Sequence, residues 1–326
     1  MIKLSLFAAE EREAKLNKLR DVLQVLDKYI DFTALASELM VRVLIVQQMF
    51  NLSDEQMEYQ LLDRLSFQRF VGLRQSSQIL DRTTIWTFKE RLTKADVGNC
   101  IFEAVNQQLV KHGYVARGGQ MIDASIVPVP IQHVSSDEKA QIKEQAIPSD
   151  WSPEKRRQKD VDATWTKKHG KSFFGFKLSV STDNRYKIIR KIKISTASAH
   201  DTLHLKDVLD ESNTSREIYA DRGYTDSKRE KQLKESGWRP QIQRKAKKSK
   251  NISACQIQRN KRISKTRVRV EHPFASLMQM GGKLIRSIGL RRATLHLNWK
   301  VATYNMRRMC YLKKAAVAPL YSQVVS

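Results

Sequence analysis

The sequence predicts an α/β fold in which helices flank a mixed sheet and an all-α N-terminal domain comes first. Three observations support this prediction. Apolar residues up to about residue 115 recur at helical spacing, the next segments alternate with the period of strands, and further strands and helices then follow in turn. A chain of 326 residues has room for about two domains. We therefore predict a helical domain over residues 1–115 and a sheet-containing domain over residues 116–326.

The N-terminal domain contains several short amphipathic segments. Its first apolar stripe is Leu16, Leu19, Leu23, Leu26 and Ile30, one face of a helix. Ser53 and Gln56 have the spacing of a capping box, which predicts a helix start. Further helices are predicted over residues 32–50, 53–65, 83–92 and 97–111. A set of short helices with polar turns can hold a helix-turn-helix.

The strand pattern begins after Gly118-Gly119. Residues 120–127 alternate in polarity and are ended by Pro128 and Pro130, which predicts the first strand. Residues 132–171 are polar and lack periodicity, so we interpret them as an insertion or a long surface loop. Further strands are predicted over residues 173–181 and 186–195, joined as a hairpin by a four-residue turn.

The remaining elements complete a mixed sheet. We predict helices over residues 202–210 and 226–235, strands over residues 217–220 and 239–243, a basic linker over residues 244–265, and long helices to about Leu312. Asp221 comes directly after the fourth strand. A parallel pairing of the first and fourth strands would place Asp221 beside Asp123, which lies 98 positions earlier in the chain.

Charge is concentrated at the C-terminal end. The net charge is +25, and residues 236–326 carry 21 lysines and arginines but a single acid, Glu271, so this part holds +20 of the total. Such clustering is typical of a nucleic-acid contact region, because a polyanion releases counterions when it binds. An anionic membrane is the competing partner, but no apolar run reaches about 18 residues and no signal peptide is recognised. Three widely spaced cysteines favour neither a disulfide framework nor a zinc site, so we expect a cytoplasmic protein.

Three carboxylates form the candidate metal site. Asp123 lies on an apolar strand, Asp221 ends another strand, and Glu271 is isolated in a basic region. Hard divalent cations prefer oxygen ligands and need charge compensation beside DNA. The three acids can hold two Mg²⁺ ions, with Mn²⁺ as a substitute, for chemistry on a phosphodiester.

Eight stretches, in their order along the chain, resemble those of the bacterial insertion-sequence transposases of the DDE type in the IS-5 family. These stretches are Leu52-Ser-Asp-Glu-Gln56, Leu65-Ser-Phe-Gln-Arg-Phe-Val-Gly-Leu73, Thr83-Thr-Ile-Trp-Thr-Phe88, Ile122-Asp-Ala-Ser-Ile-Val-Pro-Val-Pro130, Trp165-Thr-Lys-Lys-His-Gly-Lys-Ser172, Tyr219-Ala-Asp-Arg-Gly-Tyr224, Arg269-Val-Glu-His-Pro-Phe274 and Tyr304-Asn-Met-Arg-Arg308. The resemblance covers nearly the whole chain.

The resemblance implies a ribonuclease-H-like core with Asp123, Asp221 and Glu271 as its catalytic acids. It also implies cleavage at the ends of a mobile element and strand transfer into target DNA. The partners would be double-stranded terminal repeats and target DNA, bound by a homodimer or higher oligomer in the bacterial cytoplasm, at the nucleoid. The N-terminal domain would then serve end recognition or dimerisation.

The family signature around the glutamate matches in part. The family has a Tyr seven residues before the Glu, an Arg four before it and a Lys seven after it; here the positions hold Ser264, Arg267 and Met278. Arg267 lies one helical turn from Glu271 and can orient it or contact a phosphate. Because Pro273 removes a helical hydrogen bond, a helix either begins near Glu271 or kinks there.

Other residues are candidates for supporting roles. His200, Asp201 and His272 are interpreted as structural groups or as groups that orient the metal ligands. Asp160 and Asp162 are expected only to solvate the insertion. The candidate DNA-binding residues are Arg244, Lys245, Lys247, Lys248, Lys250, Arg262, Lys265, Arg267 and Arg269. Any of the five tryptophans can stack on an unpaired base, and no pattern distinguishes one of them.

The leading hypothesis is a Mg²⁺-dependent DNA transposase. A transposase-derived DNA-binding protein that has lost catalysis is the first alternative, kept open by Ser264 and Met278. A ribonuclease-H-like nuclease that cleaves without strand transfer is the second.

Overall fold

A computed structural model gives the structure of the chain and describes residues 8–18, 21–32, 38–74, 76, 79–144, 147–168, 170–246, 252–281 and 285–320. The helices are α1 (Ala8–Lys18), α2 (Val22–Tyr29), α3 (Glu38–Phe50), α4 (Asp54–Asp63), α5 (Leu65–Val71), α6 (Arg82–Lys94), α7 (Cys100–Lys111), α8 (Ser136–Lys143), α9 (Pro153–Gln158), α10 (Ser227–Glu235), α11 (Ala254–Arg267), α12 (Glu271–Gln279) and α13 (Leu290–Lys314). The strands are β1 (Gln120–Pro128), β2 (Thr164–Lys168), β3 (Lys171–Asp183), β4 (Ile189–Thr196), β5 (Glu217–Ala220) and β6 (Arg239–Ile242).

The six strands form one mixed sheet; a mixed sheet was predicted, but from five strands without β2. Its order is β2-β3-β1-β5-β6, and β4 also pairs with β3. The pairings of β3 with β1, β2 and β4 are antiparallel, whereas β1 with β5 and β5 with β6 are parallel. The parallel pair β1 and β5 therefore lies at the centre of the sheet.

Both faces of the sheet are covered, because successive residues of a strand point to opposite faces. Met121 belongs to the large apolar core that contains α13 and the N-terminal helices. Its neighbour Ile122 belongs to a smaller core on the other side, which includes Leu233 of α10 and Trp238. Asp123 is thus held on a strand that packs on both sides.

The N-terminal helices share an apolar core with α13. Val43, Ile45 and Val46 of α3 are 0 % exposed, and α13 packs against α2, α3, α6 and α7 as well as against β3 and β4. Helix α13 therefore connects the predicted helical domain to the sheet. The boundary between residues 115 and 116 stays a prediction. No helix in the described ranges is both long enough and apolar enough to span a membrane.

Local capping explains several helix boundaries. The Ser53 and Gln56 capping box is present at the start of α4, as the spacing predicts. The first apolar stripe is divided between α1 and α2, and the Asp21 side chain caps the second helix by accepting from the N–H of Leu23 at 2.9 Å. Leu19 lies outside the described residues.

Residues 132–171 are more ordered than a surface loop. They form α8, α9 and the strand β2. Asp160 is only 6 % exposed and, with Asp162, caps the N-terminus of α13: the N–H groups of Gly289 and Leu290 donate to their carboxylates at 3.1 Å and 2.7 Å. The interpretation of these two acids as solvating groups was wrong, because both carboxylates accept backbone hydrogen bonds. The sequence does not indicate this role, since the partners lie almost 130 residues away.

Two predicted helices differ in the structure. Residues 202–210 contain a 3₁₀ turn at Asp201–His204 instead of an α-helix. Near the isolated glutamate, a 3₁₀ turn at Val268–Val270 ends α11, and α12 begins at Glu271. Pro273 thus lies in the first turn of α12, where its missing N–H leaves no helical hydrogen bond unmade.

Candidate active site

Asp123 and Asp221 occupy equivalent positions on the central parallel strands. The register pairs Gln120 with Ile218 and Met121 with Tyr219. Two residues further along each strand, the same offset of 98 positions leads to Asp123 and Asp221. Asp123 lies inside β1 and Asp221 directly follows β5, so the parallel register, extended by two positions, places the two aspartates side by side, as predicted.

Each aspartate is oriented by a backbone N–H. The N–H of Ala124 donates to Oδ1 of Asp123 at 2.8 Å, and the N–H of Gly223 donates to Oδ1 of Asp221 at 2.7 Å. The Asp221 side chain is the cap of a 3₁₀ turn at Arg222–Tyr224. In both residues Oδ1 is thus fixed by the main chain, so that Oδ2 is the oxygen available for a cation.

Arg267 supplies a cation at Asp123. Its Nη2 lies 3.2 Å from Oδ2 of Asp123, and the two side chains are 17 % and 26 % exposed. Burial raises the pKa of Asp123 above its ordinary value, Arg267 and the N–H of Ala124 oppose this rise, and the Asp221 carboxylate adds to it. The two aspartates therefore interact electrostatically, and the site favours a positive charge between them.

A hydrogen-bonded chain links Arg267 to the strand β6. Nη1 of Arg267 donates to Oε1 of Gln243 at 3.3 Å, and Nε2 of Gln243 donates to Oγ of Ser264 at 2.6 Å. The N–H of Gln243 donates to the carbonyl of Ala220, the residue before Asp221. Ser264, which departs from the family signature, thus helps to hold the amide that orients Arg267. Sequence reasoning did not identify Gln243, because an amide after a short strand has no pattern of its own.

Tyr224 lies beside the acids and was also not identified as a site residue. It is 1 % exposed, and its hydroxyl has no hydrogen-bond partner among the described residues. Burial raises the pKa of Tyr224 well above its ordinary value, and the carboxylates of Asp201, Asp123 and Asp221 raise it further, against the effect of Arg267. The phenol is therefore neutral and lies near several carboxylates. Its position within the stretch Tyr219–Tyr224 was the available signal.

Glu271 is not joined to the two aspartates. The 3₁₀ turn at Val268–Val270 packs against β1, which brings the start of α12 to the sheet, but Glu271 is exposed. In the described ranges, no hydrogen bond or ion pair involves its carboxylate, and no three His, Cys, Asp or Glu side chains form a metal-binding group. The structure thus brings together two of the three predicted acids.

The predicted supporting groups have different surroundings. Nδ1 of His200 lies 2.8 Å from Oγ1 of Thr202 and accepts from the Thr202 N–H, so His200 caps a 3₁₀ turn. Asp201 pairs with Lys177 at 2.6 Å and is one of the carboxylates that act on Tyr224. His272 lies apart from the acids: burial, Lys187 and Arg308 lower its pKa.

Apart from Arg267, which pairs with Asp123, the candidate DNA-binding residues fall into three groups. Arg244 forms two hydrogen bonds with the carboxylate of Glu230, at 2.6 Å and 2.7 Å, and Arg269 donates to Oδ1 of Asn184 at 2.7 Å. Exposed side chains with neither a hydrogen bond nor an ion pair to a described residue are those of Lys245, Arg262 and Lys265. Lys247, Lys248 and Lys250 lie outside the described residues.

Helix α11 is largely exposed. Besides Arg262 and Lys265 it presents Lys261 and the apolar Ile257, and Val268 follows it in the 3₁₀ turn. Ile257 and Val268 are 45 % and 55 % exposed. The exposed basic side chains of α11 are typical of a surface that a polyanion covers, and the exposed Ile257 and Val268 indicate that a partner contacts this helix.

Two segments of the chain match known protein families. Residues 117–306 match the family described as "Transposase DDE domain", and residues 7–91 match the one described as "Transposase domain (DUF772)". Over 196 residues the chain is 31 % identical to a protein of Neisseria meningitidis serogroup B that is named "Transposase for insertion sequence element IS1106". This alignment covers 58 % of the chain and 65 % of the relative's length. No solved structure matches the chain.

Proposed function

Because the chain belongs to the family of transposases with a DDE domain, we propose that it cleaves phosphodiester bonds at the ends of an insertion sequence and transfers the strands into target DNA. The observation that carries this proposal is the parallel pairing of β1 with β5, whose register, extended by two positions, places Asp123 beside Asp221. Both residues lie within the matched segment 117–306. The alignment with the insertion-sequence transposase spans 65 % of that relative, which is less than two thirds of its length. The complete transposition reaction is therefore proposed for this chain and not taken from the relative.

The proposed architecture is a ribonuclease-H-like core preceded by a helical DNA-recognition or dimerisation domain. The mixed sheet with a central parallel pair and helices on its faces supports the first part. The family match of residues 7–91 supports the second. We also propose that the protein acts in the bacterial cytoplasm. It would bind the element ends as a homodimer or higher oligomer.

The proposed cofactor is Mg²⁺, with Mn²⁺ as a substitute and two ions per site. Asp123 and Asp221 fit such ions, since each is fixed through Oδ1 and has carboxylate oxygens of the kind that hard cations prefer. Glu271 is the proposed third ligand. When bound, the metal would supply charge stabilisation at the reacting phosphate and activation of the attacking oxygen.

The side chains around the acids have separate roles in this proposal. Arg267 balances the charge of Asp123 when no cation is bound, and Gln243 orients its guanidinium. Tyr224 supplies a hydroxyl donor near Asp123 and Asp221, and this hydroxyl has no partner among the described residues. Arg262 and Lys265 hold phosphates, because their ammonium and guanidinium groups are exposed on the same helix that carries Arg267.

The second candidate is a DNA-binding protein that derives from a transposase and does not cleave. Two observations favour it: a guanidinium lies against Asp123, and Glu271 has no contact with the aspartates in the described structure. It predicts DNA binding with a steep salt dependence and no metal-dependent cleavage.

A cleavage and joining assay tests the proposal. The substrate is a labelled duplex that carries the terminal repeat of the element, with a supercoiled plasmid as target. The wild-type protein should cleave and join the duplex with Mg²⁺ and not with EDTA. Asp123→Asn, Asp221→Asn and Glu271→Gln should each be slowed roughly 1,000-fold or more, with binding nearly unchanged.

The matched control is Glu235→Gln, which alters an exposed acid at the end of α10 and should cleave normally. Normal cleavage by a variant at any of the three acids would remove that residue from the proposed site. Cleavage by none of the proteins, with tight binding retained, would favour the second candidate. Cleavage without joining would indicate a nuclease.

A further inference from the structure

A cavity lies away from the acids, between the N-terminal helices and α13. Its volume is about 370 Å³, and three helices line it with side chains at the same spacing of three and four residues. The residues with this spacing are Leu44, Gln47 and Gln48 of α3 with Asn51 just after it, Trp86, Lys89, Glu90 and Thr93 of α6, and Arg292, Leu295, His296 and Trp299 of α13. Stripes with this spacing are normally apolar where helices pack, so the polar groups here need another reason.

The charges of the cavity are unequal. Its two acids are already paired: Asp54 with Lys89, and Glu90 with Arg292 through two hydrogen bonds of 2.6 Å and 2.8 Å. Arg157 of α9 lies at the rim without an ion pair to a described residue. Arg286 donates to the neutral side chain and carbonyl of Asn51. Two guanidinium groups thus have no acid as a partner among the described residues, and the cavity is suited to an anion.

Two aromatic surfaces border the cavity. Trp299 is 5 % exposed and belongs to the apolar core. Trp86 is 53 % exposed although it is a large apolar side chain on a helix that packs against two others. An indole left in solvent at the rim of a positively charged cavity offers a face on which a base can stack.

A donor and an acceptor without partners lie in the wall. Gln48 is 6 % exposed, and its Oε1 has no hydrogen-bond partner among the described residues; the same holds for Nε2 of His296. Nε2 of Gln48 lies 3.4 Å from Nδ1 of His296, which assigns the imidazole proton to Nε2 if the ring is neutral. Burial, with Lys300, Lys89 and Arg286, lowers the pKa of His296 to about 3, so the ring is neutral. Two residues that line the cavity, Gln48 and His296, thus hold an amide acceptor and an imidazole donor that are buried without partners among the described residues.

We propose that this cavity binds one unpaired nucleotide of the DNA on which the protein acts. The base stacks on Trp86, its hydrogen-bonding edge meets Gln48 and His296, and its phosphate lies against Arg157 and Arg286. Neighbouring donors and acceptors are the groups that base edges present. The inference rests on the proposed function for its DNA, but it concerns binding and not cleavage.

Fluorescence anisotropy with two labelled duplexes tests this site. The duplexes have the same sequence and length, and one has a single-nucleotide bulge. The wild-type protein should bind the bulged duplex about tenfold more tightly than the paired one, since stacking of a base on an aromatic ring contributes on that order. Trp86→Ala should lose this preference and bind the paired duplex normally, while Trp86→Phe should keep part of it. Arg157→Ala should weaken binding of the bulged duplex more than that of the paired one.

Tyr311→Ala is the control, because it removes an exposed ring of α13 outside the cavity lining and should keep the preference. Equal wild-type affinity for the two duplexes, or a preference that survives Trp86→Ala, would overturn the proposal. Competition by deoxyadenosine monophosphate distinguishes the source of the nucleotide: if it occupies the cavity while the bulge gives no preference, the ligand is a free nucleotide and not DNA. Loss of all DNA binding would contradict the proposed function itself, whereas equal binding contradicts only this cavity.

Discussion

The guanidinium of Arg267 lies 3.2 Å from the carboxylate of Asp123, at the position where a cation would reduce the repulsion between Asp123 and Asp221. The contact is partly exposed and depends on Gln243, which accepts from the other guanidinium nitrogen. Arg267 therefore neutralises Asp123 in the metal-free protein. A metal ion that binds Asp123 must compete with it.

Arg267→Ala should strengthen binding of Mn²⁺ to the DNA-free protein. Without the guanidinium, Oδ2 of Asp123 is left to the cation, and the loss of one nearby positive charge corresponds to roughly fivefold tighter binding. Isothermal titration calorimetry measures this affinity. Arg262→Ala, on the exposed part of the same helix, should leave it unchanged. Weaker binding by Arg267→Ala would mean that Arg267 orients Asp123 instead of competing with the metal.

Arg244→Ala should lower stability more than DNA affinity. Glu230 is 5 % exposed and holds the guanidinium at two points, so truncation leaves a buried carboxylate unpaired at a cost of about 2 to 3 kcal/mol. Urea unfolding measures this loss, and Glu230→Gln in the same chain should restore part of it. Lys245→Ala should unfold like the wild type and reduce the salt slope of DNA binding by about one. Equal stability of Arg244→Ala and Lys245→Ala would contradict the structural role of Arg244.

Arg244 shows what the sequence could and could not predict. The charge total indicates a polyanion partner, but it does not distinguish an exposed lysine from an arginine paired with an acid 14 residues earlier. Likewise, Asp160 and Asp162 lie in a polar segment whose pattern indicates solvent, and their task at α13 depends on a contact across almost 130 residues. Such partners have no local signal.

Elements with a local pattern were predicted closely. Strand β5 has the predicted bounds, and the Ser53 capping box is formed, because alternation and capping depend on neighbours in sequence. The pairing of Asp123 with Asp221 could be expected as soon as β1 and β5 were taken as parallel. The separate position of Glu271 could not, since it depends on how α11 and the 3₁₀ turn after it pack on the sheet.

The buried Asp183 should make stability depend on pH. Its pKa is raised by burial from 3.8 to about 6, although the N–H groups of Tyr186 and Ile188 and the charge of Arg190 oppose the rise. The folded state thus binds this proton more tightly than the unfolded state. The stabilisation is complete below pH 4 and is lost as pH rises through about 6, with a total of about 3 kcal/mol.

Asp183→Asn removes this titration. The difference in free energy of unfolding between wild type and variant should therefore fall as pH rises from about 4 to about 6, as measured by urea unfolding at each pH. Parallel pH profiles for the two proteins would show that Asp183 does not carry the effect.

Gly175→Ala should disturb the strand that carries Asp123. Gly175 has φ +152°, and an added Cβ would lie 2.2 Å from the carbonyl oxygen of Val127 and 3.0 Å from the backbone of Pro128. Because Gly175 pairs with Pro128 at the end of β1, the strand must move away from β3. We expect a loss of about 3 kcal/mol or more in the free energy of unfolding, measured in urea. Gly170→Ala is the matched control: φ is +78° but no atom lies within 4 Å, so only backbone strain of about 1 kcal/mol applies. Equal losses in the two variants would show that positive φ, and not the close approach of β1 to β3, sets the cost.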